Sequence, residues 1–303
     1  MMAAGLTTMS DDGMQCDFSD VNKYANDLLS QGITGNFLNG TSGQSICLTT
    51  QERMDSLDAW MNTDAVKSGK LTMLPHIGGN SINEIMQLAD HAASVGAYGI
   101  GIMPPGFLRP ENHKAAARLL IEVAHRHPTL PVYYYHFPRM TGVDINMTDA
   151  LVMARQYAPN VVGAKFTDSL FSDLQRSASK GFTTLVGADD MISYALAAGT
   201  HGCIGITCNM FGRIAQDIYE AFEAGDRQKA DDLQKILASL FDDIKKSGNV
   251  FATSYYLTEK LRGLHFGSLR YPQYNLSSAQ KDHVDRWLQN YAQHERYINP
   301  TKL

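Results

Sequence analysis

Three stretches, "SQGITGNFLNG" (30–40), "SVGAYGIGIMP" (94–104) and "AAGTHGCIGIT" (197–207), follow one syntax. Each runs from a small-residue helix end through G-x-x-G into a short apolar run. The first glycine of each, Gly32, Gly96 or Gly199, suits a left-handed residue closing a helix. The second, Gly35, Gly99 or Gly202, lets the chain turn tightly into a buried strand. Glycine is common in this chain, with 25 copies. Abundance alone does not put an apolar run after each pair.

Other runs take the same role: "AAGLT" near the start, "LTMLPHI" (71–77), "LPVYYYHF" (130–137), "VVGAK" (161–165) and "TTLVGA" (183–188). Amphipathic segments lie between them. Over 82–95, Ile82, Ile85, Ala89, Ala92 and Val95 fall on one helical face. Helical patterns also fit 18–31, 50–66, 111–126, 147–158 and 189–199. Continuous apolar runs are what parallel strands look like when both faces of the sheet are covered. Eight strands, each followed by a helix or by the tail, predict a (β/α)8 TIM barrel. A doubly wound open sheet satisfies the same periodicity. After residue 208 the pattern changes to about three helices, with Ala230, Leu233, Leu237, Leu240 and Ile244 on one face of 228–247. "ATSYYLTEKLRGL" and "SSAQKDHVDRWLQNYAQ" follow, the latter with a Ser277–Gln280 capping box. The expected organisation is a barrel over 1–208 and a C-terminal helical subdomain over 209–303.

The 303 residues carry a formal net charge of −5 and no basic block, which argues against a nucleic-acid partner. No apolar run approaches membrane-spanning length, and the N-terminus lacks the pattern of a secretory signal. A cytoplasmic protein is expected. Cys16, Cys47, Cys203 and Cys208 form no C-x-x-C pair and no finger-like set with histidine. Small buried thiols are expected, and no metal.

In a barrel of this kind, chemistry collects where strands end. Those ends read "NGTSGQS", "MPPGF", "YYYHFP", "KFTD", "GADD" and "GITCN". Lys165 therefore stands at a site-forming position. Three roles are open to it: snorkelling, an ion pair with Asp168 or another acid, or nucleophilic catalysis. Unperturbed, only about one lysine amine in two thousand is neutral at pH 7. Burial beside Val161, Val162 and Ala164 disfavours the charged form, which is how Schiff-base lysines become nucleophiles. Strand alternation puts Tyr133 and Tyr135 on one face and Tyr134 on the other. Thr41 and Ser42, flanked by Gly40 and Gly43, offer hydroxyls and amides to a carboxylate.

Together, "NGTSGQSICLTTQER", "VYYYHFPRMTGV", "GAKFTD", "GADDMISYALAAGTHGCIGITCN" and "GLHFGSLRYP" resemble the N-acetylneuraminate lyase and dihydrodipicolinate synthase superfamily. The resemblance spans about residues 3–275. It implies a pyruvate-dependent class I aldolase, usually a homotetramer, needing neither metal nor diffusible cofactor. It further implies that Lys165 forms the imine, Tyr135 moves protons, and Thr41 and Ser42 hold the pyruvate carboxylate. Thr167, Gly187, Asp189, Asp190 and Ile206 fall at positions that meet the sugar chain in the lyases.

Met140 stands where the synthases typically place an arginine, and Arg139 comes one residue early, so the lyase branch is the nearer one. That implies reversible cleavage of N-acetylneuraminate to N-acetylmannosamine and pyruvate. Gln44 and Asp190 replace usual glutamates, Ile206 replaces a usual serine, and Phe107 lacks a phenol common in the synthases. These departures keep open an aldolase for another 2-keto-3-deoxy acid. A non-catalytic sugar- or keto-acid-binding barrel is the alternative of another class.

Overall fold

Eight apolar runs form short parallel strands: β1 Met2–Ala4, β2 Gly35–Phe37, β3 Thr72–Met73, β4 Ile100–Ile102, β5 Val132–His136, β6 Val161–Phe166, β7 Thr183–Val186 and β8 Ile204–Gly205. This is the computed structural model of the chain, and it describes residues 1–298. Residues 299–303, the end of the expected extension, lie outside the described residues. The strands make two four-stranded sheets, ordered β3–β2–β1–β8 and β4–β5–β6–β7. Single parallel bridges, His76 to Gly101 and Val186 to Cys203, join the sheets at both seams. The chain has the TIM-barrel fold rather than an open doubly wound sheet.

Strand alternation sorts the side chains into two cores. Ala4, Phe37, Leu74, Tyr133, Tyr135 and Ile204 pack together inside the ring. Tyr134, with Ile100, Ile102, Val161, Ala164 and Phe166, packs outward in the larger cluster shared with the helices. The glycine syntax holds as well: Gly32, Gly96 and Gly199 have φ of +83°, +76° and +92°. At Gly99 a Cβ would lie 2.8 Å from the Pro131 carbonyl oxygen, so close strand approach requires its absence.

Most helices form where the periodicity predicts, including Val21–Ser30, Ile82–Ser94, His113–Arg126 and Met147–Tyr157. The predicted helix 50–66 is two, Thr50–Met61 and Asp64–Lys67, because Thr63 breaks away to cap the second. The predicted helix 189–199 opens with a 3-10 turn, Asp189–Met191, before Ile192–Ala197. Two further helices, Phe171–Ser179 and Gly212–Glu223, were not singled out by periodicity. Phe171–Ser179 is only 9 residues long and buries Asp173, Leu174 and Ser177, so few positions carry its pattern. Gly212–Glu223 buries Ile214, Ala215, Ile218 and Ala221 and docks through the Gly212 amide, which donates to Gln31 Oε1 at 2.7 Å. It follows β8, within the segment expected to form the C-terminal extension.

After it come Arg227–Lys246, Val250–Arg262, Ser278–Gln289, with the expected Ser277–Gln280 capping box, and the single turn Glu295–Ile298, so the expected extension holds more than about three helices among the described residues. It is tied to the barrel by the buried Arg262, whose guanidinium lies 2.7 Å from Asp27. Of the cysteines, Cys203 and Cys208 are buried as expected, whereas Cys16 and Cys47 are only half-buried. Those two lie near the Glu52–Arg270 contact at the surface rather than in the core.

Candidate active site

Strand β6 pairs with β5 and β7 so that Lys165 stands between Tyr135 and Leu185. Its side chain enters the ring, and Nζ sits 4.3 Å from the Tyr135 ring centroid and 4.4 Å from that of Phe37. Lys165 is only 4% exposed. Of its three open roles, snorkelling is therefore excluded. The ion pair with Asp168 does not form either: Asp168 lies 3.6 Å from His136 Nε2 instead. Burial pulls the Lys165 amine down to about 7, opposed by the negative field of Asp189 and by the Cys203 thiol. A large fraction of the amine is then neutral at physiological pH.

Tyr135 is buried beside it, its hydroxyl 3.1 Å from Thr41 Oγ1. Burial pushes this phenol up to about 12, with the hydrogen bond to Thr41 pulling the other way. Its ring meets Phe37 and His76 edge-on at 5.3 and 5.7 Å. His76 is held well below its usual range by burial, by Arg53 and by Lys165, although its Nδ1 contact with the Asn39 carbonyl opposes the shift. A neutral His76 thus adds no charge to the chamber.

The segment 40–45 is a compact turn. The amides of Gly43 and Ser45 donate to the Gly40 carbonyl, and that of Gln44 to Thr41. Among the described residues, neither the Thr41 nor the Ser42 amide donates a hydrogen bond. Two free N–H groups and two hydroxyls beside Lys165 and Tyr135 suit an anion. The turn and the lysine–tyrosine pair come together as the sequence predicts.

The remaining predicted positions divide. Thr167 Oγ1 is buried without a partner, and Gly187 lies against it: a Cβ there would sit 2.0 Å from Thr167 Oγ1 and 3.2 Å from Lys165 Cε. Asp189 is buried and accepts from the Thr207 amide at 2.8 Å and hydroxyl at 2.5 Å, with the Ile206 amide at 3.4 Å. Burial raises its carboxyl, and the Thr207 bonds partly offset that. Asp190, next in sequence, turns to Lys245 of the extension, 3.1 Å away. Ile206 is buried and brings no polar side-chain group to the site. Phe107 and Met140 are exposed at 87% and 54%.

Sequence reasoning missed Phe37, which walls the lysine, and Tyr255, whose hydroxyl touches the 40–45 turn from the C-terminal helices. Alternation along "GNFLN" could have found Phe37; Tyr255 is 213 residues away from its contact and left no local signal.

The profile of the dihydrodipicolinate synthetase family matches residues 1–291. The N-acetylneuraminate lyase of Gallus gallus is 34% identical over 278 residues, covering 90% of this chain and 89% of that protein. The N-acetylneuraminate lyase of Mus musculus is 32% identical over 277 residues, with 90% and 86% covered. Among solved structures, Proteus mirabilis N-acetylneuraminate lyase superposes with a TM-score of 0.87 at 26% identity, over 95% of this chain and 97% of that one.

Proposed function

The chain belongs to the dihydrodipicolinate synthetase family, and from that membership we propose that it is a class I aldolase reversibly cleaving N-acetylneuraminate to N-acetylmannosamine and pyruvate. The single observation that carries the proposal is Lys165: a buried amine pulled down to about 7, walled by Phe37 and by Tyr135, whose hydroxyl reaches Thr41 of the 40–45 turn. The likeness to N-acetylneuraminate lyases over nine-tenths of the chain supports the choice of substrate.

In this reading, Thr41 and Ser42 hold the substrate carboxylate while the neutral Lys165 amine attacks the adjacent keto carbon. The hydroxyl of the resulting carbinolamine must leave as water. Tyr135, a phenol pushed up to about 12, is protonated at neutral pH and supplies that proton. The phenolate left behind is a base strong enough to take the proton from the C4 hydroxyl. The C3–C4 bond then breaks, its electrons flow into the protonated imine, and an enamine remains. Protonation at C3 and hydrolysis release pyruvate and free Lys165. The imine is itself the electron sink, so the mechanism calls for neither metal nor diffusible cofactor.

Borohydride trapping with pyruvate tests the proposal. A mass adduct on Lys165 is expected, and its absence overturns the imine mechanism. Calorimetric binding of pyruvate without turnover of any sugar acid would instead mark a binding barrel. A second reading, an aldolase for another 2-keto-3-deoxy acid, is favoured by Asp190 pairing with Lys245 and by the apolar Ile206. Turnover on N-acetylneuraminate no better than on a plain 2-keto-3-deoxy acid would select it.

We further propose a homotetramer in the cytoplasm. No helix among the described residues is long and apolar enough to cross a membrane. Phe107, Leu108 and Met140 are exposed apolar side chains of the kind an assembly covers. A monomer in sedimentation would overturn this assembly.

A further inference from the structure

Helix Val250–Arg262 of the extension sends Tyr255 under the carboxylate turn, where its hydroxyl makes three contacts. The Thr7 amide donates to it at 3.0 Å, Gln44 Nε2 donates at 3.1 Å, and the Ser42 carbonyl oxygen lies 3.4 Å away. A phenol has one proton to give. Two of these partners are donors, so that proton is committed to the Ser42 carbonyl.

The orientation of Gln44 is itself fixed. Its Oε1 lies 3.0 Å from the Arg270 amide, and a backbone N–H can only donate. Nε2 therefore faces Tyr255. Gln44 holds a left-handed backbone at φ 57°, a conformation that a non-glycine residue keeps only when its surroundings hold it there. The Thr7 hydroxyl completes the set by donating to the Gly43 carbonyl at 2.7 Å.

We infer that Tyr255 is a positioning residue for the carboxylate-binding turn, with its hydrogen bond aimed at Ser42 by the Gln44 amide. With the Ser42 and Gly43 carbonyls drawn toward Tyr255 and Thr7, the Thr41 and Ser42 amides and the Ser42 hydroxyl are left for the substrate, while the Thr41 hydroxyl stays on Tyr135. A glutamate at 44 could not donate to the phenol. The single proton would then turn to the carboxylate, and the Ser42 carbonyl would lose its donor. This inference rests on the aldolase reading, because it assigns the turn to the keto-acid carboxylate.

The test uses the full chain and pyruvate itself. In Y255F, the pyruvate concentration giving half-maximal borohydride adduct is expected to rise about tenfold, with kcat for N-acetylneuraminate cleavage, measured separately, changed less than twofold. Q44E, which keeps the side-chain size, is expected to shift the same quantity in the same direction. Both variants are first checked by circular dichroism and thermal melting. If Y255F does not fold, Q44E carries the test alone. A lower melting temperature with an unchanged pyruvate requirement makes Tyr255 merely structural and overturns the inference. No adduct in the unsubstituted protein would instead overturn the aldolase reading, so the two failures are distinguishable.

Discussion

Lys165 carries an energetic cost that its surroundings relieve only in part. Its amine is pulled down to about 7 by burial, against a usual value near 10.5. The unfolded chain therefore binds a proton that the folded chain partly gives up. The resulting destabilisation is complete below pH 7 and fades as pH rises toward 10.5. Lys165→Met removes it, so the variant should be more stable at pH 7 by a few kcal/mol, on the order of 3, while forming no adduct with pyruvate. Urea denaturation measures the first effect and mass spectrometry the second. The same titration governs activity: kcat/KM should climb as pH rises through about 7, as the nucleophilic amine appears. A flat profile between pH 6 and 8 would contradict this. Tyr135→Phe keeps the ring that walls the lysine and loses the hydroxyl proposed to carry protons, with its bond to Thr41. Its kcat should fall by about 10²–10⁴-fold with the circular dichroism spectrum unchanged.

Strand ends place these groups, and small residues make the room. Gly187 follows β7 and lies against Thr167 Oγ1 and Lys165 Cε. Gly187→Ala should therefore displace both and lower kcat/KM by about 10²-fold, while the melting temperature moves little. Steady-state kinetics on the folded variant checks this. The element scale is also where the sequence was most legible. The G-x-x-G syntax located Gly32, Gly96 and Gly199, all with positive φ. Alternation in "VYYYH" separated Tyr133 and Tyr135 from Tyr134. These signals are local, because backbone geometry and strand period act within a few residues. Contacts between distant segments left no such trace. Nothing in "GADD" announces that Asp190 turns to Lys245, 55 residues on, while Asp189 caps Thr207. Nothing in "TSGQS" announces Tyr255.

At the scale of the whole molecule, the extension and the barrel share buried polar contacts. Arg262 is almost fully buried against Asp27, with both carboxylate oxygens within reach of Nε at 2.8 and 3.1 Å. Arg262→Met strands that carboxylate and should cost about 3 kcal/mol or more in urea denaturation. Turnover per folded molecule at low temperature should survive, because Arg262 is not among the residues around Lys165. The barrel's two seams have a different consequence. Each is a single bridge, beside Ile77 on one side and Val186 on the other. They part the ring into halves that carry different pieces of the chemistry. Phe37 and the Thr41–Ser42 turn belong to the β1–β2–β3–β8 half; Tyr135, Lys165 and Gly187 belong to the other. A keto acid bonded to Lys165 and held by Thr41 would thus be a strut across a thinly stitched joint. Amide deuterium uptake at Ile77 and Val186 should outpace that within β5 and β6 in the free protein. It should slow when pyruvate is locked in place by borohydride, so that the ligand completes the rigidity of its own chamber.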